Sequence, residues 1–151
     1  MKNSNAYIFE PILNIAPGMP PKLLTSCLSI NNLNLKRIIY KCMDFDSGYG
    51  WDLETALSIA DMYRAFLYLC KTYTQQVIVP TREVDDFWHL HLLDTRNYIA
   101  DCENIFGHYL HHFPYAGLKG TLICAYEEET YLKETFKLIE INFPELVSEK
   151  V

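Results

Sequence analysis

The longest regular pattern in this 151-residue sequence is an apolar repeat of helical period that extends from Leu53 to Cys70. Its apolar residues return every three or four positions, which places them on one face of a helix. Asp52 directly precedes the repeat and is a residue type that caps the first turn of helices. We therefore predict a long helix after Asp52, with its apolar face buried against other helices.

Four other segments carry a helical pattern, and short signals mark some of their ends. Thr81 precedes a segment with acidic residues in its first turn, where they oppose the positive end of the helix dipole. Thr95 can cap the next segment, and Gly107 is placed to end it in the left-handed conformation. The β-branched run 77–79 stands alone before Pro80, so it predicts an extended connector rather than a sheet. The four further helical segments are predicted at about 21–44, with an Asn-rich break at Asn31 and Asn32, and at about 82–93, 95–106 and 121–143.

The first 21 residues contain prolines at positions 11, 17, 20 and 21. Because proline lacks a backbone N–H, this density predicts an irregular N-terminal arm over residues 1–21, packed on the domain or trailing from it. A chain of 17.6 kDa has the size of one domain with one hydrophobic core. We predict an all-α fold, a compact single-domain bundle of about five helices over residues 22–151.

The composition argues against several classes of function. The 19 acidic and 13 basic residues give a formal charge of -6, which disfavours nucleic acid and anionic membranes as partners. No apolar run reaches the roughly 20 residues that cross a bilayer, and the N terminus does not resemble a secretory signal, so we expect a cytoplasmic protein. The five cysteines include no close pair, which argues against a disulfide framework and a Cys-x-x-Cys metal site.

All five histidines fall within the 24 residues from His89 to His112. Asp85 and His89 are four positions apart on a predicted helix, so their side chains lie on one face about one turn apart. Carboxylate and imidazole are a usual ligand set for zinc, iron or manganese, which need three or four donors. The clustering predicts a transition-metal site that includes Asp85 and His89.

Further ligands for such a site can come from four residues. His91 lies two positions beyond His89 and points to another side of the helix. His111 and His112 are adjacent, so in regular backbone only one of them faces a given site. Cys102 can supply a thiolate, although a lone cysteine is more often a packing residue. The candidate metal ligands are Asp85, His89, His91, Cys102, His111 and His112.

A structural interpretation of the histidines competes with the metal site. Aromatic residues surround them, and in an aromatic core histidines often only form hydrogen bonds with carboxylates and backbone groups. The sequence also contains no glycine-rich phosphate loop, no Gly-x-Ser-x-Gly motif and no His-Glu-x-x-His motif. The histidine-rich segment thus leaves metal binding and core packing open. The aromatic neighbours are Trp88, Phe106, Tyr109, Phe113 and Tyr115.

Several short motifs follow one another from Val79 onwards. They are Val79-Pro80-Thr81, Asp85 with Trp88-His89-Leu90-His91, Tyr98, Asp101-Cys102, Phe106-Gly107, Leu110-His111-His112 and Pro114-Tyr115. With these motifs the chain resembles the glycine-rich domain-containing protein-like family, as a short bacterial-type member without the glycine-rich tail. The similarity extends more loosely from about Leu35 to Phe143.

The resemblance implies a set of positions to test rather than an activity. The nucleic-acid and stress-related roles proposed for plant members do not carry over, because this chain lacks their glycine-rich tail and accessory domains. His108 is not clearly part of the shared pattern and ranks below the other histidines. The positions that the resemblance singles out are Asp85, Trp88, His89, His91, Asp101, Cys102, Gly107, His111 and His112.

Three hypotheses about function follow from the sequence. The first is a small metal-binding protein that becomes a metal-dependent enzyme if one coordination position is open. The second is a protein-protein interaction module in which the Trp-His-x-His segment is structural and an acidic, aromatic surface binds a protein partner. The third is a thiol-dependent enzyme with Cys102 as its nucleophile.

Overall fold

The computed structural model describes residues 11–114 and 125–148, and within these ranges all regular secondary structure is helical. The predicted all-α class is confirmed. The predicted number of about five helices is not, because the described residues form seven. Expectations for residues 1–10, and for the start of the last long helix at residue 121, lie outside the described ranges. The helices are α1 (Pro21–Asn31), α2 (Lys36–Met43), α3 (Leu53–Thr72), α4 (Arg82–Leu93), α5 (Thr95–Phe106), α6 (Ala125–Asn142) and α7 (Pro144–Ser148).

Two differences account for the additional helices. The predicted region 21–44 is divided into two helices at its Asn-rich break: α1 ends at Asn31, and Leu33 and Leu35 are buried in the segment between α1 and α2. Pro144 was expected beyond the end of the last helix, but it is also the first residue of α7. Proline is well suited to that position, since the first residue of a helix does not need its N–H.

Helix α3 is the central element of the fold. It packs against α1, α2, α4 and α6, and its predicted N-cap is confirmed because the Asp52 carboxylate accepts a hydrogen bond of 2.8 Å from the Thr55 N–H. Its small residues Ala56 and Ala60 are fully buried and so permit close approach of neighbouring helices. The apolar repeat found in the sequence therefore forms the middle of the core, as its period predicted.

Helices α4 and α5 are consecutive and carry most of the histidine-rich segment. Thr81 caps α4, since its hydroxyl accepts a hydrogen bond from the Val84 N–H. Gly107 ends α5 with a left-handed φ of 73°, as predicted. The expected cap at Thr95 is wrong by one position: Asp94 occupies the N-cap, without a side-chain cap hydrogen bond, and Thr95 is the first helical residue.

Irregular segments are attached to this helical core by specific contacts. Leu13 in the arm is buried, and its backbone N–H and C=O both bond to the side-chain amide of Asn31. The 77–79 connector has no regular structure, and the Val79 N–H donates to the Thr135 hydroxyl of α6 over 3.0 Å.

None of the helices in the described part of the chain has the length and apolarity required to cross a membrane.

Candidate metal centre

Three of the six candidate ligands converge at the surface of α4. Asp85 and His89 lie one turn apart on that helix, and His112 approaches them from the segment that follows α5. The His112 Nε2 lies 2.7 Å from Oδ1 of Asp85, and the His89 Nε2 lies 3.5 Å from Oδ2 of the same carboxylate. One donor atom from each of these residues lies within 4.8 Å of the other two. The helical spacing of Asp85 and His89 thus creates the pair, and His112 completes a cluster of three.

The two imidazoles differ in their surroundings. The side chain of His89 is 44% exposed, whereas that of His112 is 11% exposed because it lies against the indole of Trp88, with ring centres 4.4 Å apart. The rings of His89 and His112 are 4.6 Å apart. The imidazole of His112 therefore lies against the core, whereas that of His89 is partly exposed to solvent. The Asp85 carboxylate lies close to both rings.

The cluster opens onto a groove of about 680 Å³ between α4, the 77–80 connector and α6. Its walls are apolar on the side of the connector, and Trp88 and Phe113 add aromatic surface. Arg82 and two glutamates of α6 contribute charge. A small molecule or an extended side chain has room beside Asp85, His89 and His112. The other lining residues are Val77, Ile78, Val79, Pro80, His111, Pro114, Glu128, Glu129 and Leu132.

His91 lies in the core, away from the cluster. Its side chain is buried, and both ring nitrogens have partners: Nδ1 lies 2.7 Å from the Tyr63 hydroxyl and Nε2 lies 2.8 Å from Oδ2 of Asp101. The ring also makes edge contacts with Tyr63 and Tyr98. In this arrangement His91 joins α3, α4 and α5, and its position accords with the structural interpretation that the sequence left open for the histidines.

Cys102 is buried on α5 and is not part of the three-residue cluster. Burial raises the pKa of its thiol, and a hydrogen bond from the Leu110 backbone opposes this only in part. A thiol with a raised pKa is a poor nucleophile and a poor metal ligand at neutral pH, since the thiolate is the reactive form. The environment of Cys102 therefore gives no support to a thiol-dependent reaction.

The remaining histidines are exposed. His111 borders the groove and its ring packs on that of Tyr109, with centres 4.8 Å apart. His108 lies beside Phe106, and its Nδ1 is 3.0 Å from the Tyr109 carbonyl. Of the adjacent pair, His112 rather than His111 belongs to the cluster with Asp85 and His89.

Comparison with known sequences identifies the family of the chain. A sequence profile of the UCP032817-like family matches residues 35–140, which is most of the chain. The chain belongs to the UCP032817-like family. No curated protein and no solved structure shows significant similarity to it. The matched range contains α2 to α5 and all three residues of the cluster, but the description of the UCP032817-like family names no activity.

The three residues of the cluster in this UCP032817-like protein have side chains that can coordinate a metal ion. A carboxylate and two imidazoles are the donor set of three-ligand sites that keep a position open for water or substrate. Here the three donors come from two elements and face a groove instead of being enclosed by protein. All three residues are among the six candidates that the sequence offered. The bridge from Tyr63 to His91 was not predicted, since these residues are 28 positions apart and no local spacing relates them.

Proposed function

We propose that this UCP032817-like protein binds a divalent transition metal, zinc, iron or manganese, through Asp85, His89 and His112. The observation that carries the proposal is the convergence of one carboxylate and two imidazole donors within 4.8 Å of one another. Two of the ligands stand on a helix with a capped first turn, which restricts their movement. Preorganised ligands of this kind lower the cost of assembling a metal site.

The groove beside the cluster favours a reactive site over a purely structural one. Structural zinc sites are closed by four protein ligands, whereas catalytic sites use three and keep one position for water. Two histidines and one carboxylate also form the usual ligand set of non-haem iron(II) enzymes. On this basis we extend the proposal to a metal-dependent enzyme in which Asp85, His89 and His112 hold the ion and the groove holds the substrate.

The hydrogen bond between His112 and Asp85 competes with metal binding, because it uses the same two atoms. It joins Nε2 to Oδ1 over 2.7 Å, so a metal bound through these two atoms must replace the proton that they share. Metal binding is then coupled to proton release, as it is for other histidine and carboxylate sites. The proposal therefore predicts that metal binding releases a proton to the buffer.

A second candidate function is recognition of a protein partner at the same groove. The observation that favours it is the apolar part of the groove lining, to which Val77, Ile78, Leu132, Trp88 and Phe113 contribute. Exposed apolar surface of this kind is found where proteins associate. This function predicts that Val77→Asp abolishes capture of a partner while metal content is unchanged.

The resemblance to the glycine-rich domain-containing protein-like family is retained as a proposal and adds no activity to either function.

The test is metal analysis of the untagged protein, purified without chelators, followed by calorimetric titration with Zn²⁺, Fe²⁺ under anaerobic conditions, and Mn²⁺. His89→Ala and His112→Ala are compared with His108→Ala, which removes an exposed imidazole outside the cluster. We expect one ion per chain for the wild type and for the control. Each of the other two variants should bind at least tenfold more weakly.

Binding that survives both substitutions would reject the proposed ligands. No binding of any of the three ions by the wild type would reject the metal site and leave partner recognition as the better function. An equal loss in His108→Ala would indicate nonspecific binding by surface histidines.

A further inference from the structure

We propose that Tyr98 is a positioning residue, which fixes His112 at the cluster by anchoring the irregular segment that carries it. The inference rests on the proposed metal site, because it concerns the placement of one of its three ligands. It adds a residue on α5 that touches neither Asp85 nor His89 in the contacts of the described residues.

Asp85 and His89 need no such anchor, because both belong to one turn of α4. His112 is different: it follows Gly107, where α5 ends, and it lies in a segment without regular hydrogen bonding. The backbone of such a segment has many accessible conformations, and each ordered residue costs conformational entropy. The position of His112 therefore depends on contacts made by its neighbours.

A hydrogen-bond chain supplies one of these contacts. The indole Nε1–H of Trp88 donates to the Tyr98 hydroxyl over 3.0 Å, and this hydroxyl donates to the Leu110 carbonyl over 2.5 Å. Leu110 precedes His112 by two residues, and Trp88 packs against the His112 ring. These two hydrogen bonds thus connect α4, α5 and the segment that carries His112. They restrict His112 through the backbone of Leu110 and through the contact of its imidazole ring with the Trp88 indole.

The Tyr98 hydroxyl is suited to this role by its burial. The side chain is 1% exposed, and burial raises the pKa of the phenol far above its ordinary value. The hydroxyl consequently keeps its proton at every physiological pH and remains a donor to Leu110. Residues that orient metal ligands in this indirect way typically change metal affinity by about 10- to 100-fold when they are altered.

The experiment uses Tyr98→Phe, which removes the hydroxyl and keeps the ring. Tyr63→Phe is the control, because it also deletes a buried phenolic hydroxyl, but one that bonds to His91 rather than to Trp88 and the His112 segment. We measure Zn²⁺ affinity by calorimetry, and the nuclear Overhauser effect between the Trp88 indole and the His112 imidazole in the metal-free protein. Near-ultraviolet circular dichroism verifies that both variants fold.

We expect Tyr98→Phe to lose the Trp88–His112 Overhauser effect and to bind Zn²⁺ at least tenfold more weakly, while Tyr63→Phe retains both properties. An unchanged Overhauser effect and affinity in Tyr98→Phe would overturn the inference. Equal losses in the two variants would also overturn it, because they would reflect a general loss of core packing. Failure of the wild type to bind Zn²⁺ would instead reject the proposed metal site, and the Overhauser effect would still decide whether Tyr98 positions His112.

A measurement on the wild type covers the case in which Tyr98→Phe does not fold. The indole N–H of Trp88 should exchange slowly with solvent, because it donates to a buried hydroxyl, and that of partly exposed Trp51 provides the internal reference. Exchange of Trp88 as fast as that of Trp51 would show that the hydrogen-bond chain does not persist, and the inference would fail. Strong protection of Trp88 alone would support it.

Discussion

The Nε2 atom of His91 lies 2.8 Å from Oδ2 of Asp101, inside the contact between α4 and α5. On the other side of the same ring, Nδ1 lies 2.7 Å from the hydroxyl of Tyr63 on α3. Both nitrogens of a nearly inaccessible imidazole are thereby satisfied, which is the condition for burying a polar group without a large free-energy cost. The three side chains form one bridge among three helices.

We predict that His91→Phe destabilises the protein by about 1–3 kcal/mol, although it keeps an aromatic ring of similar size. The buried Tyr63 hydroxyl loses its partner, and leaving a buried polar group without one costs about this much; Asp101 loses a partner too, but its side chain is 27% exposed and water can replace that partner. Urea unfolding followed by circular dichroism measures the change. His89→Ala is the control, since it removes a partly exposed imidazole and should change the free energy of unfolding much less.

The His91→Phe variant also tests whether the two histidines of the Trp-His-x-His motif have different roles. His91→Phe should retain Zn²⁺ binding per folded molecule, whereas His89→Ala should lose it. Loss of metal in both variants at full folding would place His91 near the ion and would contradict the geometry described for the cluster. A His91→Phe variant as stable as the wild type would show that the bridge contributes little.

The candidate site could be predicted from the sequence only where ligands are related by local spacing. The side chains of Asp85 and His89 lie together, as their spacing predicted, because four positions make about one helical turn. Spacing placed His91 on another side of the helix, but it could not show that this side faces Tyr63 and Asp101 in the core instead of further metal ligands. The choice of His112 over His111 was left open for a similar reason: it depends on the path of the chain after Gly107, which is set by tertiary contacts such as that between Tyr98 and Leu110.

We predict that Cys102 resists alkylation in the folded protein. Iodoacetamide at pH 7.5, with peptide mapping by mass spectrometry, should leave Cys102 unmodified over a period in which the urea-unfolded chain reacts fully. Its burial and raised pKa both disfavour the thiolate. Cys42 and Cys70, whose pKa values are raised by burial to about 12, should be equally inert and serve as references. Selective, rapid labelling of Cys102 would instead revive the thiol-dependent enzyme.

The helices were predicted best where a capping residue adjoins a long apolar repeat. The caps at Asp52 and Thr81 and the left-handed Gly107 were confirmed, since each depends on a few consecutive residues. The Asn-rich break at Asn31 and Asn32 is where α1 ends, but the sequence did not show that Leu33 and Leu35 are buried in the segment between α1 and α2.

We predict that Thr81→Ala destabilises the protein by about 1 kcal/mol, a typical value for loss of an N-cap side chain. The hydroxyl accepts the hydrogen bond of the Val84 N–H in the first turn of α4, the helix that carries Asp85 and His89. Thermal unfolding measures the effect, and Thr74→Ala, at an exposed position outside the helices, is the control. A change in the control as large as that in Thr81→Ala would show that the cap is not the cause.

The N-cap of α3 gives the protein a specific pH dependence. Hydrogen bonds from the backbone N–H and the hydroxyl of Thr55 lower the pKa of Asp52 below its ordinary value. Because the folded state favours the ionised carboxylate, this contribution to stability is fully present above the unfolded pKa of about 3.9 and is lost as pH falls through the folded value. Asp52→Asn still caps the helix but does not titrate, so its stability should fall less steeply than that of the wild type when urea unfolding is measured from pH 5 towards pH 3. Parallel pH profiles for the two proteins would show that the carboxylate of Asp52 contributes no more to the folded state than an amide does.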